Sequence, residues 1–557
     1  MKIKHILTAS ILALSTVSLS QAAEVVLHVT GSTAFRKAFV QSVEDQMNGS
    51  GAYTVAYKGS TPTTAGSETG ANDVVLRGTI NGQACTVKCT WTGSIGGIIA
   101  VAKQVAIANI PGGDGWMSIT NLPTSGSTAG GALVNGNQTL LAVVSPSLTL
   151  DAGTFATETQ NADLAMSDSF QASSVLFAKP VISAAVSGKE IVGVVPFEWV
   201  ANNGAQTSLQ TTLTGGATTS GSATITVAST AGVNVNAEIT GTGIPTGAHV
   251  VTVVNGTTLT LSANATATGS GLSFTHYFAS PITSINGNQA NGLLSGGKFL
   301  SEFTGNNADS STFVYAMGRN YDSGTRLAAV SETSPSIGAT GTVSQLIAGG
   351  TAGVAGGITT LDLYPAETLY AATGFPVSFP LGTSGFSSGG TLAGWIAAPG
   401  SFGASPANGA TAPLFDGLGN EGGWLIAYLG RNDANTAVTA TAGPNTAHRL
   451  LWNGAADWPA ATGAAAVLPV TGYVDSAVEE GVYSFWEYEH LLAKQGGLTT
   501  TAGASQQAVA NGIYTQMTGV VVSGDHLFGS ADAPLSGILS GAMNVAKTVE
   551  GGPISHN

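Results

Sequence analysis

Four short polar clusters stand out in a chain of 557 residues, of which only 9% are charged. Three of them combine small residues with hydroxyl side chains where a predicted strand leads into a predicted helix. The remaining one places an Asp at the end of a predicted strand. The clusters are Gly31-Ser32-Thr33-Ala34, Gly93-Ser94, Ser167-Asp168, and Arg319 followed by Ser323-Gly324-Thr325. Residue types and positions of this kind can bind an anion.

The start of a helix favours an anion because its first backbone N–H groups lack partners and the helix dipole is positive there. Small residues let an anion approach the backbone, and Ser or Thr hydroxyls add donors. Arg319 adds a planar fork that fits a tetrahedral oxyanion. Taken singly, each cluster is also typical of an ordinary helix N-cap or of a solvated surface Arg. The combination of all four in one chain favours a binding site.

Asp168 would repel an anion that carries no proton. A carboxylate can accept a hydrogen bond from the P–OH group of hydrogen phosphate, whereas sulfate has no such proton at neutral pH. Asp168 therefore favours phosphate over sulfate, because it penalises the wrong ligand.

Predicted strands and helices alternate around these clusters. Buried-strand runs cover residues 25–29, 162–168, 191–197, 313–317 and 424–429. Helices are predicted over residues 35–40, 98–107, 327–331, 478–494 and 505–517. Such alternation is typical of an α/β fold.

The composition excludes several classes of protein. A hydrophobic fraction of 43% excludes a disordered acidic tail, and the 76 glycines have no collagen-like period of three. The net charge of −14 argues against a nucleic-acid partner, because phosphate contacts need clustered Lys and Arg. A chain of this length predicts two or three domains.

Residues 1–23 are predicted to be a secretory signal peptide. They contain Lys2 and Lys4, an apolar run over residues 6–19, and small residues up to Ala23. A membrane anchor is the alternative, but the run is shorter than the ~20 residues that a span needs. Cleavage near Ala22 or Ala23 removes two lysines and no acid, which leaves a mature charge of −16. The mature protein is expected in the periplasm, outside the cell or at its surface, and not spanning a membrane.

Cys85 and Cys89 are the two cysteines of the chain. In an exported protein a disulfide is the default. A disulfide between residues only four positions apart requires a turn or a helix, because in an extended segment their Cα atoms would lie about 13 Å apart. Two cysteines alone are too few for a metal site. A local disulfide is therefore expected, and neither a metal nor a cofactor is.

Residues 205–275 differ in composition from the rest of the chain, and Glu238 is their only charged residue. Residues 223–227 alternate polar and apolar types, and Asn255-Gly256 between two β-rich runs is a strong hairpin signal. We expect a small all-β module inserted into the α/β protein. Its Gly243-Ile244-Pro245 turn resembles the Thr/Gly-rich β modules of bacterial surface and phage proteins. A disordered linker is the alternative, which the regular alternation disfavours.

The order and spacing of the four clusters resemble those of the phosphate-binding proteins of ABC transporters. The resemblance implies an α/β, two-lobed periplasmic-binding-protein-like fold with a hinge, in addition to the all-β insert. It places lobe one in residues 24–190 and 466–557, and lobe two in residues 191–204 and 276–465. The implied partner is an ABC permease.

The resemblance also implies a role for each matched residue. Arg319 would pair with the oxyanion and Asp168 would accept the phosphate proton. Hydroxyl and backbone donors would come from three helix starts, at Ser32, Thr33, Ala34, Ser94, Ser323, Gly324 and Thr325. The family commonly has an acidic residue two positions after the Arg and a Gly immediately before the Ser. This chain departs from that pattern, because it has Tyr321 and Asp322 at those two positions.

Three classes of function are open at this point. The favoured one is an exported binding protein that closes two lobes around phosphate or a related oxyanion. The second is a surface-associated structural or adhesive protein on the same fold, which the low charge, the insert and the length favour. The third is a phosphate-ester hydrolase, for which the eight scattered histidines offer no cluster. Enzyme activity is therefore not expected.

Overall fold

A computed structural model describes much of the chain. The described residues are 23–50, 53–58, 67–107, 115–122, 132–135, 138–142, 157–171, 183–186, 188–202, 210–233, 235, 237–246, 248–277, 282–295, 297–310, 313–320, 323–333, 342–348, 358–365, 385–386, 388–397, 424–439, 447–459, 473–519 and 537–557. The predicted signal peptide, apart from Ala23, lies outside these residues, as do Tyr321 and Asp322.

The described residues form both strands and α-helices. The strands are β1 (Val25–Gly31), β2 (Thr54–Lys58), β3 (Asp73–Ile80), β4 (Gln83–Thr90), β5 (Trp116–Met117), β6 (Ala132–Asn135), β7 (Gln138–Ala142), β8 (Thr157–Glu158), β9 (Leu164–Ser167), β10 (Ser183–Ala184), β11 (Ile191–Ala201), β12 (Gln210–Thr218), β13 (Thr224–Thr226), β14 (Ile239–Gly241), β15 (Val250–Asn255), β16 (Thr258–Leu261), β17 (Gly269–Tyr277), β18 (Ser284–Ile285), β19 (Lys298–Phe299), β20 (Phe313–Met317), β21 (Thr342–Ala348), β22 (Ile358–Pro365), β23 (Trp424–Gly430), β24 (His448–Trp452), β25 (Trp486–Ala493), β26 (Val545–Ala546) and β27 (Ser555–His556). The α-helices are α1 (Arg36–Gly49), α2 (Ser94–Lys103), α3 (Gly287–Leu294), α4 (Ser301–Thr304), α5 (Gly324–Thr333), α6 (Gly389–Ile396), α7 (Arg431–Thr439), α8 (Asp475–Glu479) and α9 (Gln506–Gly519).

The first large sheet is mixed and contains the N-terminal strands. Its order is β6-β7-β2-β3-β4-β1-β9-β25-β11. Strand β1 runs parallel to both β4 and β9. Because the carboxyl ends of parallel strands meet at one sheet edge, the turns after β1 and β9 lie side by side.

The second large sheet has the order β18-β24-β11-β23-β20-β21-β22. Strands β20 and β23 are parallel neighbours, with Val314 opposite Trp424 and Met317 opposite Ala427. Their carboxyl ends therefore lie together, and the chain continues from them into α5 and α7. Residues just after these two strands can share one site.

Strand β11 belongs to both sheets. Its residues 191–196 pair with β25, and its residues 197–201 pair with β23. Trp199 on this strand packs against Trp452 and Phe485, with ring centroids 5.9 and 5.7 Å away. The large mixed sheets confirm the expected α/β class, while the two-lobed arrangement stays a prediction.

A separate antiparallel sheet of six strands forms between β11 and β18, in the order β14-β17-β12-β13-β16-β15. It has an apolar core of its own, which includes Leu213, Ile239, Leu259 and Phe274. The hairpin predicted at Asn255-Gly256 is confirmed, because β15 and β16 pair antiparallel on either side of it. No helix in the described residues is both long enough and apolar enough to cross a membrane.

The helix predicted over residues 478–494 is wrong. The segment begins at the end of the short helix α8 and continues into strand β25, whose residues are all buried. Strand β25 lies between β9 and β11. Residues 486–489 do alternate apolar and polar types, as a strand does, but this alternation is short and the apolar run over residues 491–493 that follows shows no period of two. The aromatic and apolar residues of the segment were therefore open to a helical interpretation. The helix predicted over residues 505–517 is confirmed as α9.

The predicted disulfide is also wrong, because Cys85 and Cys89 are free and lie on the same strand, β4. Positions four apart on a strand are about 13 Å apart, which a disulfide cannot span. Both thiols are fully buried in the main core. Burial raises the pKa of Cys85 to about 12 and also raises the pKa of Cys89.

We expect neither thiol to react with Ellman's reagent in the native protein, because both are buried and resist ionisation. Protein unfolded in guanidinium without reductant should titrate as two thiols per chain. A matched sample that is reduced first should give the same count. A count near zero in the unreduced, unfolded sample would show that the cysteines are bridged.

Candidate functional site

The turn after β1 packs closely against the end of β9 and the start of α2. The backbone N–H of Ser32 donates to the carbonyl of Met166 at 2.8 Å, and the N–H of Gly93 donates to the carbonyl of Gly31 at 2.9 Å. Gly31 has a φ of 114°, and a Cβ on it would lie 1.9 Å from the Met166 oxygen. Only glycine fits there, and the close approach brings the clusters at the starts of α1 and α2 to the end of β9.

Asp168 follows β9 directly and is 1% exposed. The hydroxyl of Ser94, the first residue of α2, donates to Asp168 Oδ1. The backbone N–H of Asp168 donates in turn to the Ser94 Oγ at 3.3 Å. Burial raises the pKa of Asp168, while the Ser94 hydrogen bond and the charge of Arg319 act in the opposite direction. Asp168 therefore binds a proton more readily than an exposed Asp does.

The start of α5 lies against the same carboxyl group. A Cβ on Gly324 would lie 1.6 Å from Asp168 Oδ1 and 2.5 Å from Ser169 Oγ. Ser323 caps this helix, because its Oγ accepts a hydrogen bond from the N–H of Arg326 at 3.4 Å. The Asp168 carboxyl is thus at the starts of α2 and α5, where electrostatics favour an anion.

Arg319 follows β20 and extends from the second sheet to the start of α1. Its Nη2 donates to Thr33 Oγ1 at 3.2 Å, and its Nε donates to the Phe386 carbonyl at 3.1 Å. Its backbone N–H donates to the Tyr428 hydroxyl at 3.1 Å. The side chain is only 2% exposed, so the guanidinium is held in one orientation.

Sequence reasoning missed two charged residues of this region, Asp433 and Arg36. The Asp433 carboxyl lies at the start of α6, where a Cβ on Gly389 would be 1.8 Å from its Oδ2. Burial raises the pKa of Asp433, and the charges of Arg36 and Arg319 oppose that rise. Asp433 lies in the first turn of the helix after β23. No helix is predicted after the strand run over residues 424–429, and residues 430–433 carry no hydroxyl, so the pattern that selects the other clusters does not apply there.

The structure therefore brings the sequence-predicted residues together at three helix starts. Contacts join Thr33 to Arg319, Ser94 to Asp168, and Asp168 to the start of α5. The fully buried members of the set are Ser32, Ser94, Asp168, Arg319, Ser323, Gly324 and Thr325, whereas Thr33 and Ala34 are half-buried. That these residues bind a ligand stays a proposal.

Further buried carboxyl groups lie near Asp168. Glu487 and Glu489 on β25 are fully buried, and Glu550 is nearly so. Burial raises the pKa of Glu487 to about 8 although Lys547 acts against the shift. Burial and the Asp168 charge raise the pKa of Glu489. Within the described residues, no group of three or more His, Cys, Asp or Glu side chains is placed to hold a metal ion.

The raised pKa of Glu487 predicts a pH dependence of stability. The folded protein keeps a proton that the unfolded chain releases between its ordinary pKa of 4.5 and about 8. The contribution of this group to the free energy of unfolding therefore falls as pH rises through that interval, and it is constant above it. Melting temperatures measured from pH 5 to 8.5 should fall less steeply for Glu487→Gln than for wild type. The exposed Glu302→Gln variant is the control, and parallel curves for Glu487→Gln and wild type would contradict the assignment.

The contact between Gly324 and Asp168 predicts a steric effect. Gly324→Ala should displace the Asp168 carboxyl or the start of α5 and lower the free energy of unfolding in urea by ~1–3 kcal/mol. Gly394→Ala is the matched control, because Gly394 is exposed in α6 and a Cβ on it would have no atom within 4 Å. That variant should gain ~0.5–1 kcal/mol. Equal stability of Gly324→Ala and wild type would show that the two residues are farther apart than described.

No protein-family model matches the chain, and no curated protein matches it. Among solved structures, the chain is similar to a Clostridium perfringens protein described as a phosphate ABC transporter substrate-binding protein and crystallised with bound phosphate. The two are 8% identical, the match covers 88% of this chain and 93% of that one, and the TM-score is 0.29. Because so low a TM-score establishes no shared fold, the function is inferred from the contacts of the site.

Proposed function

We propose that this chain is an exported solute-binding protein that captures phosphate, or a related tetrahedral oxyanion, between two lobes. The observation that carries the proposal is the placement of the buried Arg319 guanidinium at the start of α1, close to Asp168 at the starts of α2 and α5. A guanidinium fork and unpaired helix N–H groups are the donors that suit a tetrahedral oxyanion.

An acidic chain can bind an anion in this way without a basic surface. The donors act at contact distance inside a site from which water is largely excluded, where electrostatic interactions are stronger than in water. The net charge of −14 sets the field far from the protein and has less effect on a buried contact. The composition therefore argues against a nucleic-acid surface but is compatible with a small-anion site.

Asp168 selects for a protonated oxyanion in this proposal. Its carboxyl is beside the helix starts, so a bound anion must face it. Hydrogen phosphate can donate its P–OH proton to that carboxyl, whereas sulfate offers only acceptor oxygens. Phosphate is thus the preferred ligand, and other protonated oxyanions such as arsenate share its chemistry.

The way the site is assembled supports lobe closure as part of the proposal. Thr33, Ser94 and Asp168 follow strands of the first sheet, and Arg319 and Gly324 follow a strand of the second. Strand β11 is shared by both sheets and is the element about which the lobes would move. The proposed setting is the periplasm or cell exterior, and the proposed partner is an ABC permease that receives the solute.

We expect mature protein to bind phosphate with a sub-millimolar dissociation constant by isothermal titration calorimetry at pH 7. Arg319→Met should weaken phosphate binding about tenfold or more, because a charge-assisted hydrogen bond contributes ~1.5–3 kcal/mol. Arg77→Met is the matched control, since Arg77 is 52% exposed and pairs with Glu24 away from the site. No heat of binding with phosphate, arsenate or sulfate would exclude the proposed function.

The selectivity role of Asp168 has a separate test. Asp168→Asn removes the negative charge and offers an amide donor to sulfate, so the ratio of phosphate to sulfate affinity should fall. Asp45→Asn, which alters an acid on α1 that bonds Gln41 and Gln516, should leave the ratio unchanged. An unchanged ratio in Asp168→Asn would show that Asp168 does not accept the phosphate proton.

One observation favours a second function, a surface-associated structural or adhesive role. The six-stranded sheet is nearly free of charge and exposes Val251 and Val254 at 45% and 54%. Exposed apolar side chains on a separate sheet can serve as a contact surface. Failure of all three anions to bind, together with attachment of the protein to cell surfaces, would favour this alternative.

A further inference from the structure

The C-terminal segment, defined here as residues 537–557, is attached to the first sheet. Ile538 and Val194 of β11 exchange two backbone hydrogen bonds of 2.9 Å. The ammonium group of Lys547 donates to the carbonyls of Ser484 and Trp486 at 2.7 and 2.8 Å, and it lies 4.8 Å from the Trp486 ring centroid. Lys547 is thereby fixed to the start of β25.

The same lysine also binds α5. Its Nζ donates to Oε1 of Glu332, which lies in the last turn of that helix. Lys547 is fully buried and the Glu332 side chain is 9% exposed, so the ion pair is shielded from water. The carboxyl group of Glu487 is also close, 3.6 Å from the Lys547 ammonium. The lysine thus connects a strand of the first sheet to the far end of a helix whose start faces Asp168.

Two more contacts occur within four residues of Lys547. Glu550 Oε1 accepts a hydrogen bond from the backbone N–H of Phe170, two residues after Asp168. Gly551 has a φ of 62°, and a Cβ on it would lie 2.1 Å from the carbonyl oxygen of Ser331 in α5. The C-terminal segment therefore touches both the loop that carries Asp168 and the helix that begins at Gly324.

We propose that Lys547 is a positioning residue whose pairing with Glu332 holds α5 against the Asp168 loop and must break when the oxyanion site opens. This inference rests on the proposed function. Helix α5 has ten residues and spans ~15 Å, so it transmits displacement at its last turn to its first. Its start is against Asp168 and its end is bound to Lys547, which fixes the helix at both ends.

The pair controls release because it is buried. When a buried ion pair separates, each charge loses the partner that compensates its removal from water. The open state is therefore disfavoured until water reaches both Lys547 and Glu332. Weakening the pair should therefore increase the rate of opening. Changes to an interface appear mainly in dissociation rates, and we expect phosphate to dissociate ~10-fold faster or more.

The test compares Glu332→Gln with wild type in the full mature chain. Two measurements are made: exchange of bound radiolabelled phosphate for excess unlabelled phosphate, and hydrogen–deuterium exchange without ligand. We expect faster phosphate dissociation and faster deuterium uptake in residues 164–171 and 323–333. Uptake in residues 258–277 of the six-stranded sheet should stay at the wild-type level. Glu302→Gln, which removes the exposed pair with Lys298, should change neither measurement.

A double-variant cycle separates this role from a general loss of stability. If Glu332 acts through Lys547, adding Glu332→Gln to Lys547→Met should increase the dissociation rate no further than Lys547→Met does alone. Multiplicative effects of the two changes would contradict the pairing. Replacing both residues by Met gives a further variant if either single variant fails to fold, since apolar replacement of a buried pair is often tolerated. Faster deuterium uptake in both segments of that variant would support the role, and wild-type uptake would overturn it.

The outcomes distinguish this inference from the proposed function. If wild type binds no oxyanion, the proposed function fails, and deuterium uptake in residues 164–171 and 323–333 still decides whether Lys547 holds α5. If wild type binds phosphate but Glu332→Gln shows wild-type dissociation and wild-type uptake, the proposed function survives and the positioning role of Lys547 is wrong.

Discussion

The burial of the Arg319 guanidinium is the constraint on which the rest of the site depends. A charge removed from water must be compensated by neighbours, or the fold loses several kcal/mol. Arg319 is 2% exposed, and its contacts include the Phe386 carbonyl and the Thr33 hydroxyl. Asp168 and Asp433 act on it electrostatically. These partners come from different parts of the chain, so the charge is compensated only when both sheets are in place.

The two sheets can meet there because they share β11. The strand pairs with β25 in one half and with β23 in the other, so the sheets are joined by continuous backbone. Trp199 on β11, with Trp452 and Phe485, places the aromatic core beside this junction. The residues that face the ligand in our proposal all follow strand ends, where a rigid sheet positions a turn. The C-terminal segment adds a second connection on the other side of α5.

The sequence was sufficient to predict those parts of the structure that local residue chemistry determines. Small and hydroxyl residues after apolar runs predicted the strand-to-helix turns at Ser32, Ser94 and Gly324, because both the period of the run and the cap are local signals. The parallel arrangement of β4, β1 and β9 then brought the turns at Ser32 and Ser94 to Asp168, and the packing of α5 against Asp168 added the turn at Gly324. That step depends on sheet topology, which the motif resemblance implied but the residue pattern alone did not.

Other features depend on long-range contacts and were missed. Strand β25 was predicted as helix because its alternation of apolar and polar residues covers only residues 486–489 and gives way to an apolar run. Its two buried Glu side chains are compensated by contacts that the local sequence does not show. Cys85 and Cys89 were expected to form a disulfide because disulfides are common in exported proteins. Their place on one strand, β4, rules that pairing out. Lys547 and Glu332 are 215 positions apart, and no local signal relates them. Asp433 was missed because no helix was predicted after the strand run over residues 424–429 and the residues between lack hydroxyl groups.

The central claim is that an oxyanion binds between the Arg319 guanidinium and the starts of α2 and α5. The most direct test is a crystal structure of the mature protein grown with arsenate, with anomalous differences measured at the arsenic edge. We expect one strong peak within hydrogen-bonding distance of Arg319 and Ser94, with Asp168 facing an arsenate oxygen. A well-occupied peak elsewhere, or no peak at millimolar arsenate in crystals whose Arg319 site is open to solvent, would contradict it.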